Sequence, residues 1–247
     1  MFLAERSLVR GNRKLPANGV ILLLALLVAV VFAGCGAPGP GSPRQIVKKA
    51  IDAQGDLKSV HMEMDVTLQL EGGPGDSHGA SRYLRGEGYF EKPDKSRMTV
   101  KTGSGQVEVV AVGGRLFVKT AGAASWTEQE PSRQPLSGFS PGDVADYLKY
   151  TKGLQLVDVK KGTYHLKFDL DMGRYTQRFR VPDVDPSVFK GMDAHMEVWI
   201  LEDSYYIEKA KMSFAGDLSK VGRGKVSMST EIEFSEFNQP VTIEAPM

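Results

Sequence analysis

From Val60 to Glu71 apolar and polar residues alternate without a break. Val60, Met62, Met64, Val66, Leu68 and Leu70 fall on one side, and His61, Glu63, Asp65, Thr67, Gln69 and Glu71 on the other. A period of two is that of a strand with one dry face and one wet face. The period returns in Met98 and Val100, in Tyr164 to Leu170, in Ala194 to Ile200, in Ala210 to Phe214 and in Val226 to Phe234. Gly113-Gly114 and Lys161-Gly162 predict tight hairpins between neighbouring runs. Tyr83 to Phe90 is a weaker strand, diluted by Gly86 and Gly88, which indicate a bulge or the close approach of something bulky. Gln177 to Val181 reads as one more short strand, 131–135 as a loop, and 182–190 as a loop or one helical turn.

The period is helical in two places. Ser42 offers a cap and Pro43 a first helical position for an amphipathic helix over 43–54, with Ile46, Val47, Ala50 and Ile51 on its apolar side and Gly55 as its stop. Ser140-Pro141-Gly142-Asp143 starts a second, shorter helix carrying Val144, Tyr147 and Leu148 on one side. About ten strands joined mostly by short turns favour consecutive antiparallel pairing. The fold class is therefore mainly β with two or three short helices: a large antiparallel sheet whose dry face must be covered. Two short helices cover little of ten strands laid flat. The sheet must curl into a half-open barrel around them, and gaps between sheet and helices form an apolar cavity.

The expected lining of that cavity is Met62, Met64, Val66, Leu68, Met98, Val100, Leu166, Phe168, Met196, Val198, Met212, Met228 and Ile232, all on dry faces. Methionine suits adaptable apolar surfaces, so a set of them favours a deformable container; ordinary core filling is the competing reading for each one.

The first 34 residues change where this domain works. Arg6, Arg10, Arg13 and Lys14 precede an apolar run from Val20 to Ala33, and small residues follow. Basic region, apolar core and cut site make a secretory signal. The run is shorter than the roughly 20 residues that span a bilayer. Phe32-Ala33-Gly34-Cys35 resembles a bacterial lipobox, departing from it at Phe32, where that motif prefers Leu. On this reading Cys35 is cut free and receives a diacylglyceryl anchor, residues 1–34 are a signal peptide, 35–42 a flexible tether and 43–247 the working domain. An uncleaved anchor helix is the other reading. Both place everything after Cys35 outside the cytoplasmic membrane.

Composition narrows the chemistry. The chain has 247 residues and a net charge of +1, and without the basic signal the remainder is slightly acidic. A near-neutral chain with no basic cluster excludes nucleic-acid binding. The single cysteine is taken by the anchor, so no disulfide is expected. His61, His78, His165 and His195 are scattered without metal spacing, and no nucleophile elbow or phosphate loop occurs. Asp169 and Asp171 read as turn residues, and Glu231 and Glu233 as solvated charge. No metal, cofactor or catalytic residue is expected.

In order along the chain come the lipobox, the helix ending at Gln54, the strand opening Ser59-Val60-His61-Met62, the hairpin from Gly113 to Val118 with Trp126 after it, and the ending Phe234-Ser235-Glu236-Phe237-Asn238-Gln239-Pro240-Val241. This order resembles the LppX/LprG type of bacterial lipoprotein, in the wider group that shares the fold of the lipoprotein carriers LolA and LolB. The resemblance covers about 43–246. It implies a strongly curved antiparallel sheet with helices plugging its concave side, and a lipid or acyl chains held between them without catalysis. Its motifs do not fix the cargo. A sensor or adaptor of the same fold, binding a partner protein of the envelope, is the alternative.

Overall fold

The alternating runs become eleven strands of one antiparallel sheet in the computed structural model, which describes residues 41–72, 80–129, 139–178, 191–217, 219 and 224–246. The signal, Cys35, His78 and the loops expected at 131–135 and 182–190 lie outside the described residues. In chain order the strands are β1 (Ser59–Glu71), β2 (Ala80–Glu91), β3 (Lys95–Thr102), β4 (Gly105–Val112), β5 (Arg115–Thr120), β6 (Thr127–Gln129), β7 (Thr151–Lys160), β8 (Thr163–Leu170), β9 (Asp193–Leu201), β10 (Ile207–Asp217) and β11 (Lys225–Ser235). They lie side by side as β6-β5-β4-β3-β2-β1-β11-β10-β9-β8-β7. Two meanders thus meet where the first strand pairs with the last, from His61 opposite Ser235 to Glu71 opposite Lys225. Gly113 and Gly114 (φ 59° and 74°), and Lys161 and Gly162 (φ 53° and 79°), make the expected hairpins with both central residues left-handed.

Helix α1 (Pro43–Asp56) starts at a reciprocal cap: the Gln45 N–H donates to Ser42 Oγ, and the Ser42 N–H to Gln45 Oε1 at 2.9 Å. It runs past Gly55, and its end is closed instead by Lys92 from the β2–β3 turn. Helix α2 (Pro141–Tyr147) is capped by Ser140 and continues as a short 3₁₀ turn, Leu148–Tyr150. Helix α3 (Met172–Arg178) occupies the start of the segment expected to be a strand over Gln177–Val181. Asp171 explains the difference. Its carboxylate accepts from the Arg174 N–H at 3.2 Å, which makes it a helix cap where the sequence suggested a turn. Tyr175, one turn on, then packs against Tyr147 with ring centres 5.4 Å apart.

The sheet is strongly curved. β5 and β7 stand nine strand spacings apart, about 43 Å on a flat sheet. Helix α1, of 14 residues and so about 21 Å long, packs on β7 and also borders a cleft with Leu116 of β5. The main core fills the concave side, where Ile46, Val47 and Ala50 of α1 and Val144, Ala145 and Tyr147 of α2 meet the inward residues of the strands. Gly41–Met247 is a compact unit with this core inside it, the condition for folding independently of residues 1–40.

The wet face departs from expectation in two places. Val110 and Phe117 are buried on it together with Ile243, with Tyr89, Val112, Trp126 and Val241 packed around them. The C-terminal segment therefore covers part of the convex side. It is clipped in place where the Lys58 N–H donates to Asn238 Oδ1 at 2.7 Å and the Asn238 N–H donates to the Ser59 carbonyl at 2.8 Å. His61, placed on the solvated face by its alternation, is instead 8% exposed, its ring tilted 51° against that of Tyr89 with centres 4.7 Å apart.

Candidate functional site

Register lines up one inward residue from each of five strands: Val60, Phe90, Ser96, Ala111 and Leu116 are successive partners from β1 to β5. This row is the floor of a cleft of about 630 Å³, roofed by the last turn of α1 and the first turns of α2. Ile51, Leu57, Val109 and Ala145 add apolar wall. The volume lies in the ~300–1,000 Å³ range of small-molecule sites.

The rim is charged and evenly balanced. Lys58, Lys92, Lys95 and Lys149 stand with Glu91, Asp94, Asp143 and Asp146 around the opening. Most are engaged with one another or with helix ends. Lys95 pairs with Glu91 at 3.2 Å and Lys149 pairs with Asp146. The Asp143 carboxylate accepts from the Ser140 N–H at 3.1 Å. Lys92 Nζ donates to the carbonyls of Gln54 (2.8 Å) and Gly55 (2.6 Å), placing a cation at the negative end of α1. Such a rim supplies solubility around an apolar interior and no fixed surplus charge.

One residue at the cleft is out of keeping with its surroundings. Gln54 lies on the inward stripe of α1 with Ile46, Val47 and Ala50, and is 6% exposed. Among the described residues neither its Nε2 nor its Oε1 has a hydrogen-bond partner. Burying an unpaired polar group costs about 1–3 kcal/mol, so the position would be more stable as Leu or Met. Alternation and helical period mark apolar positions; a buried amide carries no such signature, and this residue was missed by them.

The thirteen residues expected to line a cavity lie in the neighbouring inward rows. Met62 and Met98 belong to the next row, and both are fully buried. Beyond it Met64, Ile232, Val198 and Leu166 share one row through Ala210, while Val66, Met212, Met196 and Phe168 share another through Thr230. These and Val100 are buried against the helices and each other. Leu68 and Met228 are partners at the far end of their strands and are half-buried. None of the thirteen borders the cleft under α1 and α2; Met228 borders a separate hollow of about 320 Å³ with Gln69, His195 and Ser213. Gly86 and Gly88 accommodate two of the methionines. A Cβ on Gly86 would lie 2.7 Å from Met64 Cε, and one on Gly88 would lie 2.5 Å from Met98 Sδ. That is the close approach the diluted strand indicated.

On the convex side His61 Nδ1 lies 3.2 Å from Ser235 Oγ, and its Nε2 lies 3.6 Å from Glu87. The second distance is too long for a hydrogen bond, so Glu87 does not fix the ring as a nucleophile's base requires. His165 Nε2 donates to Glu197 Oε2 at 2.7 Å and the ring stacks on Trp199, and His195 pairs with Asp169 at 2.6 Å. Glu231 and Glu233 are held by Lys209, and Glu231 by Lys211 as well. These are strand-face ion pairs.

No family model matches the chain, and no curated protein matches it. Among solved structures it is similar to a LolA superfamily protein from Nitrosomonas europaea, at 11% identity over 82% of this chain and 96% of that one, with a TM-score of 0.32. It is also similar to a DUF1329 family protein from Desulfovibrio piger, at 12% identity over 81% and 94%, with a TM-score of 0.30. A putative outer membrane lipoprotein-sorting protein domain from Vibrio parahaemolyticus shares 11% identity over 81% and 95%, again with a TM-score of 0.30. At such scores the likeness carries no argument about what this chain binds, and it does not establish membership of the LppX/LprG group. The functional reading rests on the cleft.

Proposed function

We propose that this chain is a membrane-tethered, extracytoplasmic lipoprotein that binds or carries a lipid or acyl chains in the cleft under α1 and α2, without catalysis. The observation that carries the reading is the cleft itself: a floor built in register across five strands, apolar but for Ser96, roofed by helices and ringed by mostly paired charges. A 16-carbon chain drawn into water costs on the order of 12 kcal/mol at about 0.8 kcal/mol per methylene. A carrier needs a dry interior of this kind and a soluble exterior. The proposed anchor at Cys35 keeps that interior near a bilayer. Gly41 and the cleft lie at opposite ends of α1, about 18 Å apart along the helix axis, so the tether attaches away from the opening.

Native mass spectrometry of the unit from Gly41 onward tests this. The expected result is a mass increment from bound lipid, either retained from the host or taken up from phospholipid and acylglycerol vesicles. A protein that emerges bare and stays bare after incubation with both would remove the reading.

A further inference from the structure

Read as a lipid site, the cleft also constrains the chemistry of its occupant. Gln54 borders the cleft near its apolar floor and is more than nine-tenths buried, with a donor and an acceptor both unmatched among the described residues. A carboxamide in that state is satisfied by a group offering one acceptor and one donor side by side. A simple ester offers acceptors alone and leaves Oε1 orphaned. A phosphate or carboxylate offers acceptors alone and likewise leaves Oε1 orphaned, and three of the four rim lysines that would meet its charge, all but Lys58, are already engaged. Lys92 closes α1, Lys95 pairs with Glu91 and Lys149 pairs with Asp146.

We infer that the cleft takes a neutral acyl lipid whose carbonyl stands beside a hydroxyl group, and that Gln54 distinguishes it from acyl lipids lacking that donor; the inference rests on the lipid reading of the cleft. The lipid carbonyl accepts from Gln54 Nε2 while its hydroxyl donates to Gln54 Oε1; a trans amide N–H points away from its own carbonyl and does not make this pair. The acyl chain lies along the row from Val60 to Leu116. Both amide atoms are closed off from solvent and held by no described residue, so the carboxamide has to turn about its own torsions to meet the occupant. The geometry makes Gln54 a specificity residue for a site whose affinity comes from apolar burial.

The test compares four probes on the unit from Gly41 onward by calorimetric titration. Monooleoylglycerol supplies a hydroxyl beside an ester, and N-oleoylethanolamine supplies an amide N–H and a hydroxyl. Methyl oleate supplies the same chain with an acceptor alone, and oleate a charged acceptor. The wild-type protein is expected to bind at least one of the first two about tenfold more tightly than methyl oleate and oleate, the effect of one net hydrogen bond. The variant Gln54→Leu is expected to bind methyl oleate at least as well as wild type and to lose the preference. Equal binding of all four by wild type, or a preference kept by Gln54→Leu, overturns the inference and leaves the lipid reading standing. Binding of none removes both. The wild-type ranking decides by itself if the variant does not fold, which its thermal melt will show.

Discussion

Lys92 Nζ donates to the backbone carbonyl of Gln54 at 2.8 Å, while the side chain of that same glutamine has no partner among the described residues. The two features pull stability in opposite directions. Lys92 holds the β2–β3 turn against the end of α1, and a cation at a helix C-terminus contributes up to about 2 kcal/mol when partly buried. Lys92→Met is therefore expected to lower unfolding free energy by about 1–2 kcal/mol, and Gln54→Leu to raise it by about 1 kcal/mol. Urea unfolding of the two variants beside wild type measures both. A Gln54→Leu protein less stable than wild type would mean that the amide has a partner after all.

The two glycines of β2 separate a soft contact from a hard one. A Cβ at Gly86 meets the flexible end of Met64, whereas one at Gly88 lies 2.0 Å from the backbone oxygen of Arg97. Gly86→Ala is expected to cost about 1 kcal/mol as the methionine shifts, and Gly88→Ala more than about 3 kcal/mol because two strands must part. Thermal melts rank them; equal costs would show that the strands, and not the side chains, give way.

Cleft and core make different demands. Ala111 is half-buried in the cleft floor, whereas Met212 is 4% exposed in the packed core. Ala111→Trp is expected to reduce lipid binding at least about tenfold with little change in melting temperature, because it fills space the occupant would use. Met212→Ala is expected to cost about 2–5 kcal/mol and to leave the affinity of the folded fraction unchanged. Lipid titration beside a melt reads both; loss of binding in Met212→Ala protein that remains folded would move the site to the methionine rows.

Strict alternation made the dry face of β1, β8, β9, β10 and β11 readable residue by residue, and the Gly-Gly and Lys-Gly pairs fixed two hairpins. Alternation says that Met62 and Met196 face inward; it does not say whether another side chain fills the space opposite. That depends on where α1 and α2 land, and they land on the methionine rows, leaving Val60 to Leu116 as the open row. The burial of Phe117 was equally out of reach, since it depends on Val241 and Ile243 folding back over the wet face. Helix α3 was hidden for a local reason: Asp171 is as good a turn residue as a helix cap.

Hydrogen bonds from Lys209 and then Lys211 hold the Glu231 carboxyl below the usual range, against partial burial that pushes it up. Its unfolded value is near about 4.3. The contribution to stability is thus complete above that pH and is lost as pH falls through the lower folded value. For a half-exposed network it is about 0.5 kcal/mol. The stability difference between wild type and Glu231→Gln is expected to stay level from pH 8 to 6 and to shrink below about pH 4.5. A difference that grows on acidification would contradict the ion pairs.

If Cys35 carries the proposed lipid, Cys35→Ala should move the protein from the membrane fraction to the soluble fraction and leave titration of the cleft unchanged. Anchor and occupant would then be separate lipids. A Cys35→Ala protein that stays with the membrane after carbonate washing points to the uncleaved helix instead.

The pairing of β1 with β11 sets when the fold can be finished. Each meander is assembled from neighbours in sequence, but the seam joins residues 61–71 to 225–235 across most of the chain. Long-range pairing of this kind is slow and forms late. A chain threaded through a membrane amino end first therefore has no complete concave face until its last strand has crossed. The residues that line the cleft all fall between Ile51 and Lys149, so its walls belong to the first meander and its two helices, and the seam adds the core behind them.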